Sequence, residues 1–481
     1  MRESVLCYPP RGPHEFVHTM EGYRSFTEGS VSRGLIQFAL PILYTNVLQS
    51  LNGSVNSMWV GHFLGESALT ATSNANLVLF LLVGAAFGIV MAATIRVGQC
   101  IGAKDLGEAK RVVGTGATFL MAVSICMGIG GLMVSRAVLM AMETPSSALP
   151  LAVPYMQVMF LSMPFLYMYV FVMSMLNAAG DSRTPLYFML LTVAVDIGLN
   201  PVFIFGVGFI PRLGITGSAL ATCVAQGIGL VALIIYLYSR QHPLRLRRHE
   251  FGMLRVDWSI VHRLVLKGVP IGTQILVLSM SGILMITLVN RFGVDTTAAF
   301  GTAIQLWTYT LMPAISMGAA VSSMVAQNVG AQNRHRVSSI VRTSVVLCTL
   351  LTGTFVLVIQ LLDSQAYSLF LPSGSHALDL ARHVYPIVAW SSVFLAISTV
   401  LFNAMSATGT VIAPLLIQTL TFLVARFLFA EILLDRWQAD AIWWSFPTSS
   451  ALAVVFIVLY YKYGEWWLTR KAVAAKSLDV L

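Results

Sequence analysis

The chain has 481 residues, of which 57% are hydrophobic and only 10% are charged, with a formal net charge of +9. A water-soluble domain of this length needs many more charged residues at its surface, so the composition excludes a soluble globular protein. Apolar runs of about 20 residues, the length that crosses a bilayer as a helix, indicate an all-α polytopic membrane protein. The positive charges are spread over many short loops, so nucleic-acid binding is not expected.

Twelve apolar segments, broken by Gly, Pro and charged residues, predict twelve transmembrane helices. Their limits are about 34–57, 74–97, 113–134, 151–176, 186–208, 212–238, 261–288, 298–325, 338–361, 382–405, 412–434 and 443–463. These spans divide the chain into five predicted parts: an N-terminal tail (1–33), an N-lobe (34–239), a basic linker (240–260), a C-lobe (261–463) and a C-terminal tail (464–481).

The distribution of basic residues predicts the orientation of the spans. The two tails and the loops after even-numbered spans hold 22 of the 29 Lys and Arg residues, and the loops after odd-numbered spans hold five. Loops rich in Lys and Arg stay in the cytoplasm, so both tails and the basic linker are predicted to be cytoplasmic. The expected location is the inner (plasma) membrane.

The two halves of the chain repeat each other at an offset of 228 or 229 residues. The matching pairs are Pro41 with Pro270, Gly65 with Gly293, VGQCIGA (97–103) with VAQNVGA (325–331), and AAGDSRTPL (178–186) with ATGTVIAPL (407–415). Each half spans the membrane six times, so both copies have the same orientation and are related by a pseudo-twofold axis along the membrane normal. Two such lobes can rock around a central cleft, which predicts alternating access.

Asp196 is the strongest candidate for chemistry because it lies near the middle of span five. A charged residue there costs at least about 2.5–3.5 kcal/mol on insertion scales. Asn200 follows one helical turn later on the same face, and Pro201 interrupts the backbone hydrogen bonding and can bend the span. Asp196 is therefore either a protonation or cation site or a neutral residue that joins helices by hydrogen bonding.

Spans one and six add polar residues to the N-lobe. Gln49, Asn52 and Asn56 recur on one stripe of span one, which either lines the cleft or packs against neighbouring helices. Pro41 is predicted to bend this span. Thr222 in span six is a possible ligand among small residues that otherwise favour close packing.

Two further features allow more than one interpretation. Met159, Met163 and Tyr167 belong to a Met- and aromatic-rich span four, which either forms a substrate-binding wall or faces lipid and neighbouring helices. Arg426 in span eleven lies one residue away from the repeat equivalent of Asp196. It is either a structural cation bound to carbonyls or a neighbour, or a charge that repels cations from the C-lobe.

The spans contain no paired acids, histidine cluster or nucleophile with a base, so an enzyme, a metal site and a cofactor are not expected. FALPILY, SVNSMWVGHFLG, the two VxQxxGA motifs and AAGDSRTPL followed by DIGLNPVFIFG resemble the multidrug and toxic compound extrusion (MATE) transporters, in particular their prokaryotic DinF-like branch. The resemblance covers nearly all of the chain after residue 30. It implies export of amphipathic, often cationic small compounds in exchange for protons or sodium ions.

Similar DinF-like proteins carry an acid on span one, a polar residue followed by an acid on span five, and a threonine on span six. By motif these positions fall on Asn56, Asp196, Asn200 and Thr222. The span-one acid is thus replaced by an amide, and the span-five acid occupies the first position of its pair. The C-lobe acids of NorM-like members, on spans seven and ten, are absent.

One carboxylate can carry one proton but makes a weak sodium site, so proton coupling through Asp196 is the favoured interpretation and sodium coupling is the alternative. A related two-lobe flippase for lipid-linked oligosaccharides is a further alternative, although its cationic cleft is not evident here. The expected partners are small-molecule substrates and the lipid bilayer, and the chain is expected to be a monomer.

Overall fold

The computed structural model describes residues 26–208, 211–368 and 375–464, and within these ranges the chain folds into twelve long helices. They are α1 (Val31–Leu64), α2 (Glu66–Gly102), α3 (Leu106–Ala141), α4 (Leu149–Ala178), α5 (Arg183–Phe205), α6 (Ile215–Ser239), α7 (Trp258–Val289), α8 (Val294–Gly330), α9 (Arg334–Leu361), α10 (His376–Thr408), α11 (Ile412–Trp437) and α12 (Ala439–Tyr463). Each predicted span coincides with one helix, which confirms the predicted fold class.

Ten of these helices, α3 to α12, are long and apolar enough to cross a membrane, and α2 contains a shorter apolar stretch, Ala86–Gly102. The remaining helix, α1, has 34 residues and a length of about 50 Å, which exceeds the roughly 30 Å of a hydrocarbon core. Its hydropathy is lowered by the polar residues between Asn46 and Ser57. A polar stripe of this kind is stable in a membrane helix when it faces protein or a water-filled cleft.

The helices form two lobes of six with the same internal packing. In the N-lobe (α1–α6), α1 packs on α5, α2 on α4, and α4 on α6; in the C-lobe (α7–α12), α7 packs on α11, α8 on α10, and α10 on α12. The lobes meet where α2 contacts α7 and α8, and where α1 contacts α8. These contacts map onto one another when the lobes are exchanged, as a pseudo-twofold relationship requires.

Backbone conformations repeat along with the helices. Gly65 and Gly293, which precede α2 and α8, have φ angles of 86° and 93°. This region of conformational space is disfavoured for residues with a Cβ atom, which explains why glycine occupies both copies. Lys104 and Gln332, which follow α2 and α8, also share a left-handed backbone, with φ angles of 61° and 57°. The internal repeat therefore extends to the turns that connect the helices.

The segment between the lobes packs against the N-lobe. Residues Arg248–Leu254 form a 3-10 helix beside α3, where Lys110 Nζ lies 2.8 Å from both carboxylate oxygens of Glu250. A Cβ atom on Gly114 would overlap the carbonyl oxygen of Met253, so glycine permits this close approach. The linker is thus held to α3 by an ion pair and by backbone contact. The five domain limits and the cytoplasmic location of the tails stay predictions.

Candidate coupling site

Asp196 lies on α5 where this helix meets α1 and α6, and its side chain is 1% exposed. Four side chains donate hydrogen bonds to its carboxylate. They are Asn52 (Nδ2 to Oδ2, 2.7 Å), Asn56 (Nδ2 to Oδ2, 3.0 Å), Asn200 (Nδ2 to Oδ1, 3.1 Å) and Thr222 (Oγ1 to Oδ1, 3.2 Å). Buried carboxylates are stable when their oxygens accept several hydrogen bonds, so this cage suits the ionised form of the acid.

The helical period explains why these residues converge. Asn52 and Asn56 are four residues apart on α1, and Asp196 and Asn200 are four residues apart on α5, so each pair lies on one helix face. The facing pairs are also joined by a hydrogen bond of 2.9 Å from Asn200 Nδ2 to Asn56 Oδ1. Asn52 was predicted only as a cleft residue, although its spacing from Asn56 is the signal that it shares the site.

Pro201 lies inside α5 and has no N–H to offer to the preceding turn. The carbonyl oxygen that thereby loses its helical donor is that of Ile197, and the Nδ2 of Asn200 lies 3.0 Å from the carbonyl oxygen of the preceding residue, Asp196. Pro41 lies inside α1 in a corresponding way, and the hydroxyl of Thr45 donates to its carbonyl oxygen at 2.9 Å. The helices continue through both prolines, and the role of these residues in bending stays a prediction.

Two oxygen atoms at the site are buried without a hydrogen-bond partner among the described residues. They are Oδ1 of Asn52 and Oδ1 of Asn200. Both amides turn their NH2 groups toward Asp196, which leaves the carbonyl ends unpaired. An unpaired buried acceptor costs about 1–3 kcal/mol, and each of these oxygens keeps the capacity to accept a hydrogen bond.

The other predicted cleft residues are distributed differently. Gln49 is exposed on α1. Met163 and Tyr167 are 1% and 3% exposed and belong to the apolar core of the N-lobe, and Met159 packs against the same core. Tyr167 also donates to the carbonyl oxygen of Leu82 at 3.2 Å. In this arrangement α4 supplies packing, and its role as a substrate-binding wall stays a prediction.

Arg426, near the C-lobe counterpart of Asp196, is also buried, at 5% exposure. Its Nε donates to Ser449 Oγ at 2.9 Å and its Nη1 to Ser281 Oγ at 3.3 Å. The guanidinium carbon lies 4.4 Å from the ring centroid of Phe446 and 5.1 Å from that of Phe422. Within the described part of the chain Arg426 forms no ion pair, so hydroxyl groups and aromatic faces stabilise its charge. The sequence did not reveal these partners.

Sequence reasoning also missed a pair of contacts that joins the lobes where α2 and α8 end. Gln99 Nε2 donates to the carbonyl oxygen of Ala407, and Gln327 Nε2 donates to that of Ala178, both at 2.8 Å. A Cβ atom on Gly102 would overlap the backbone of Gln327, so the helices touch directly. We call Gln99 and Gln327 with their two acceptors the glutamine clasp. The shared glutamine of VGQ and VAQ was the available signal.

The internal repeat agrees with a comparison to known families. The MatE family profile matches residues 41–202 and 270–432, together more than half of the chain, and the two matches begin at Pro41 and Pro270. The chain belongs to the MatE family. Members of this family are membrane transporters and not enzymes. The DinF-like branch stays a prediction.

Relatives of this MatE protein include the probable multidrug resistance proteins YoeA and NorM. YoeA of Bacillus subtilis is 32% identical over 443 residues, covering 90% of this chain and 94% of its own length. NorM of Thermotoga maritima is 24% identical, covering 91% of this chain and 93% of its own length. A solved outward-facing MATE transporter of the MOP superfamily superposes with a TM-score of 0.83 at 19% identity, covering 90% of this chain and 96% of that one. The chain is therefore a multi-pass transporter of the multidrug efflux family.

Proposed function

We propose that this MatE protein is an antiporter that exports amphipathic, cationic small organic compounds and is driven by inward proton flow through Asp196. The observation that carries the proposal is the single buried carboxylate at the junction of α1, α5 and α6. Its oxygens accept hydrogen bonds from three amides and one hydroxyl. A change in its protonation must therefore alter contacts between these helices.

The consequence of protonation follows from hydrogen-bond chemistry. An ionised carboxylate only accepts hydrogen bonds, whereas a carboxylic acid also donates one. On protonation at least one of the four donors must withdraw or turn. Rotation of the Asn52 or Asn200 amide by about 180° would present its unpaired oxygen to the new O–H group. Proton binding would thus rearrange the contact between α1 and α5.

A rearrangement of α1 can be transmitted to the other lobe. Asn46, on the same helix, donates from Nδ2 to Ser316 Oγ of α8 at 3.0 Å. Proton binding at Asp196 and the contact between lobes therefore act on the same helix. Coupling requires such an element, because a ligand shifts a conformational equilibrium only when it binds two states with different affinity.

Sodium is a second candidate for the coupling ion. The unpaired amide oxygens of Asn52 and Asn200 lie beside the carboxylate, and hard cations prefer oxygen ligands. Among the described residues, a sodium ion would nevertheless find only one negatively charged ligand, because the remaining groups at the site are amides and a hydroxyl. This charge count favours the proton.

The substrate class rests on the relatives and on the charge of the site. YoeA and NorM are named as multidrug resistance proteins. An ionised Asp196 attracts cationic groups, so substrate and proton would compete for one carboxylate and exchange would follow. The proposed location is the inner (plasma) membrane with both tails in the cytoplasm, in agreement with the 22 basic residues assigned to that side.

The experiment is efflux of a fluorescent cationic dye from proteoliposomes that contain the parent chain. A pH gradient alone and a sodium gradient alone are imposed in separate samples. Dye movement with the pH gradient and none with the sodium gradient is the expected result. Dye movement only with the sodium gradient would mean that sodium, and not the proton, is the coupling ion. Dye movement without any gradient would contradict antiport.

A further inference from the structure

A cavity of about 140 Å³ opens where α2, α3 and α7 meet, close to the glutamine clasp. Aliphatic side chains of all three helices form part of its wall, and Gln99 lines it as well. Three basic residues complete the lining, namely Arg96 of α2 and Arg263 and Lys267 of α7. We call this cavity the basic crevice. Its volume is close to that of a cavity that holds benzene, about 150 Å³, so it can accept a group of that size.

The crevice has an excess of positive charge. None of its lining residues is acidic. Among the described residues, Glu108 lies beside the crevice and is shared, because its Oε1 lies 3.4 Å from Arg96 and 4.0 Å from Arg263, and its Oε2 lies 3.4 Å from Arg111. Arg111 also contacts Asp257 at 2.8 Å. Within the described part of the chain, one glutamate beside three lining cations leaves a net positive charge in the cavity.

The positions of the basic residues favour an anion with several oxygens. Arg263 and Lys267 are four residues apart on α7, where like charges repel each other, and Arg96 adds a third charge from the opposite lobe. The side chains of Arg96 and Arg263 are 42% and 56% exposed, so they can turn toward a ligand. Lys267 Nζ donates to the carbonyl oxygen of Gly409 at 3.3 Å. A phosphate group matches this set, because guanidinium binds its oxygens in pairs and ammonium acts as a point charge.

We propose that the basic crevice binds a phosphate group and that this group bridges the two lobes. Arg96 belongs to the N-lobe, whereas Arg263 and Lys267 belong to the C-lobe, so one anion would hold α2 and α7 together. Gln99 lines the crevice and also forms half of the clasp, so an occupied crevice would stabilise the lobe contact at this end. The phosphate can come from an anionic phospholipid headgroup or from a soluble phosphate. This inference does not depend on coupling at Asp196.

The test uses the purified full-length chain in detergent and follows its melting temperature during titration with phosphatidylglycerol, inorganic phosphate or phosphatidylcholine. The double variant Arg263→Gln/Lys267→Gln removes both α7 cations. Arg342→Gln is the matched control, because Arg342 is an exposed basic residue on α9 near the same end of the molecule and does not line the crevice. Native mass spectrometry of the same samples counts bound phosphate-containing molecules.

We expect phosphatidylglycerol to raise the melting temperature of the parent and the control. The phosphatidylglycerol concentration at the midpoint of this titration should be about tenfold higher for the double variant. The same pattern with inorganic phosphate would identify a soluble ligand. Equal titrations of the parent and the double variant with both anions, or an equal loss in Arg342→Gln, would overturn the proposal. If the double variant fails to fold, Arg96→Gln replaces it in the titration. The proposal then requires a higher ligand concentration at the midpoint for Arg96→Gln than for the parent, and an unchanged concentration would overturn it.

Discussion

Asn52 on α1 and Asp196 on α5 are 144 residues apart in the chain and are joined by a hydrogen bond of 2.7 Å from Nδ2 to Oδ2. This bond links the helix that reaches the C-lobe, α1, to the helix that carries the buried acid. Asn56 makes a second bond to the same oxygen at 3.0 Å. The ionisation of Asp196 is therefore tied to the position of α1, on which the proposed coupling depends.

The hydroxyl of Thr222 provides a test of the hydrogen bonds around the Asp196 carboxylate. Thr222→Val keeps the side-chain shape and removes the donor to Asp196 Oδ1, while Thr222→Ser keeps the hydroxyl. Loss of a hydrogen bond to a charged group costs about 1.5–3 kcal/mol, so the rate of proton-driven efflux should fall about tenfold or more in the valine variant. The serine variant should stay near the parent rate. Equal rates in all three proteins would show that Thr222 does not support the acid.

Replacement of Asn56 by aspartate tests the choice of ion. Asn56 Nδ2 lies 3.0 Å from Asp196 Oδ2, so Asn56→Asp would place a second carboxylate at the site. A second negative ligand strengthens binding of a hard cation. We expect sodium-driven dye efflux to rise relative to proton-driven efflux in proteoliposomes. Asn46→Asp, on the same helix but bonded to Ser316, is the control and should not produce this change. An unchanged ratio in Asn56→Asp would argue against a cation site here.

A cross-link at the glutamine clasp tests whether the lobes must separate at this end. A Cβ atom on Gly98 would lie 3.0 Å from Cβ of Ala326, so cysteines at both positions can form a disulfide after a small adjustment. In a chain whose native cysteines are replaced by serine, oxidation of Gly98→Cys/Ala326→Cys should stop efflux, and reduction should restore it. Gly98→Cys alone is the control. Full efflux by the cross-linked protein would mean that the clasp does not open during transport.

The burial of His242, in the segment after α6, predicts that the stability of the linker depends on pH. The residue is 2% exposed, and burial lowers its pKa from 6.5 to about 4. The unfolded linker therefore takes up a proton between these values that the folded linker excludes. Linker stability should fall as the pH is lowered from 6.5 to 4, by up to about 3 kcal/mol. Stability should level off as the pH rises above 6.5, because the unfolded form then also loses its proton.

Hydrogen exchange of the linker amides, corrected for the intrinsic effect of pH on exchange, measures this loss. His242→Gln removes the titrating group and should give linker protection with a smaller pH dependence. If linker protection depended on pH equally in the parent and in His242→Gln, His242 would not be the cause, and another titrating group would be responsible.

The sequence predicted much of the fold because its determinants are local. Apolar length defines each span, and the repeat of Pro41 at Pro270 predicted two equivalent lobes before any packing was known. The Asp196 site was partly predictable, since the family resemblance placed Asn56, Asp196, Asn200 and Thr222 in one site. Helical spacing also groups Asn52 with Asn56 and Asp196 with Asn200. That the two groups face each other depends on how α1 packs against α5, which a single sequence does not encode in any local pattern.

Other features depend on tertiary packing and were not predictable. A methionine or tyrosine in an apolar span can face lipid, a cleft or the protein core, and only the packing of α4 places Met163 and Tyr167 in the core. The partners of Arg426 are likewise hydroxyl groups and aromatic rings on other helices, to which no spacing rule applies. The glutamine clasp had a sequence signal in the shared glutamine of VGQ and VAQ, but its acceptors follow from direct contact between the ends of α2 and α8.

The most direct test of proton coupling compares the parent with Asp196→Asn in proteoliposomes under an imposed pH gradient. Glu431→Gln is the matched control, because Glu431 is a half-exposed acid on α11 far from the site and pairs with Arg291. Melting temperatures of all three proteins verify that they are folded. We predict that Asp196→Asn abolishes gradient-driven efflux, whereas the parent and Glu431→Gln transport equally. Normal efflux by folded Asp196→Asn would contradict coupling through Asp196.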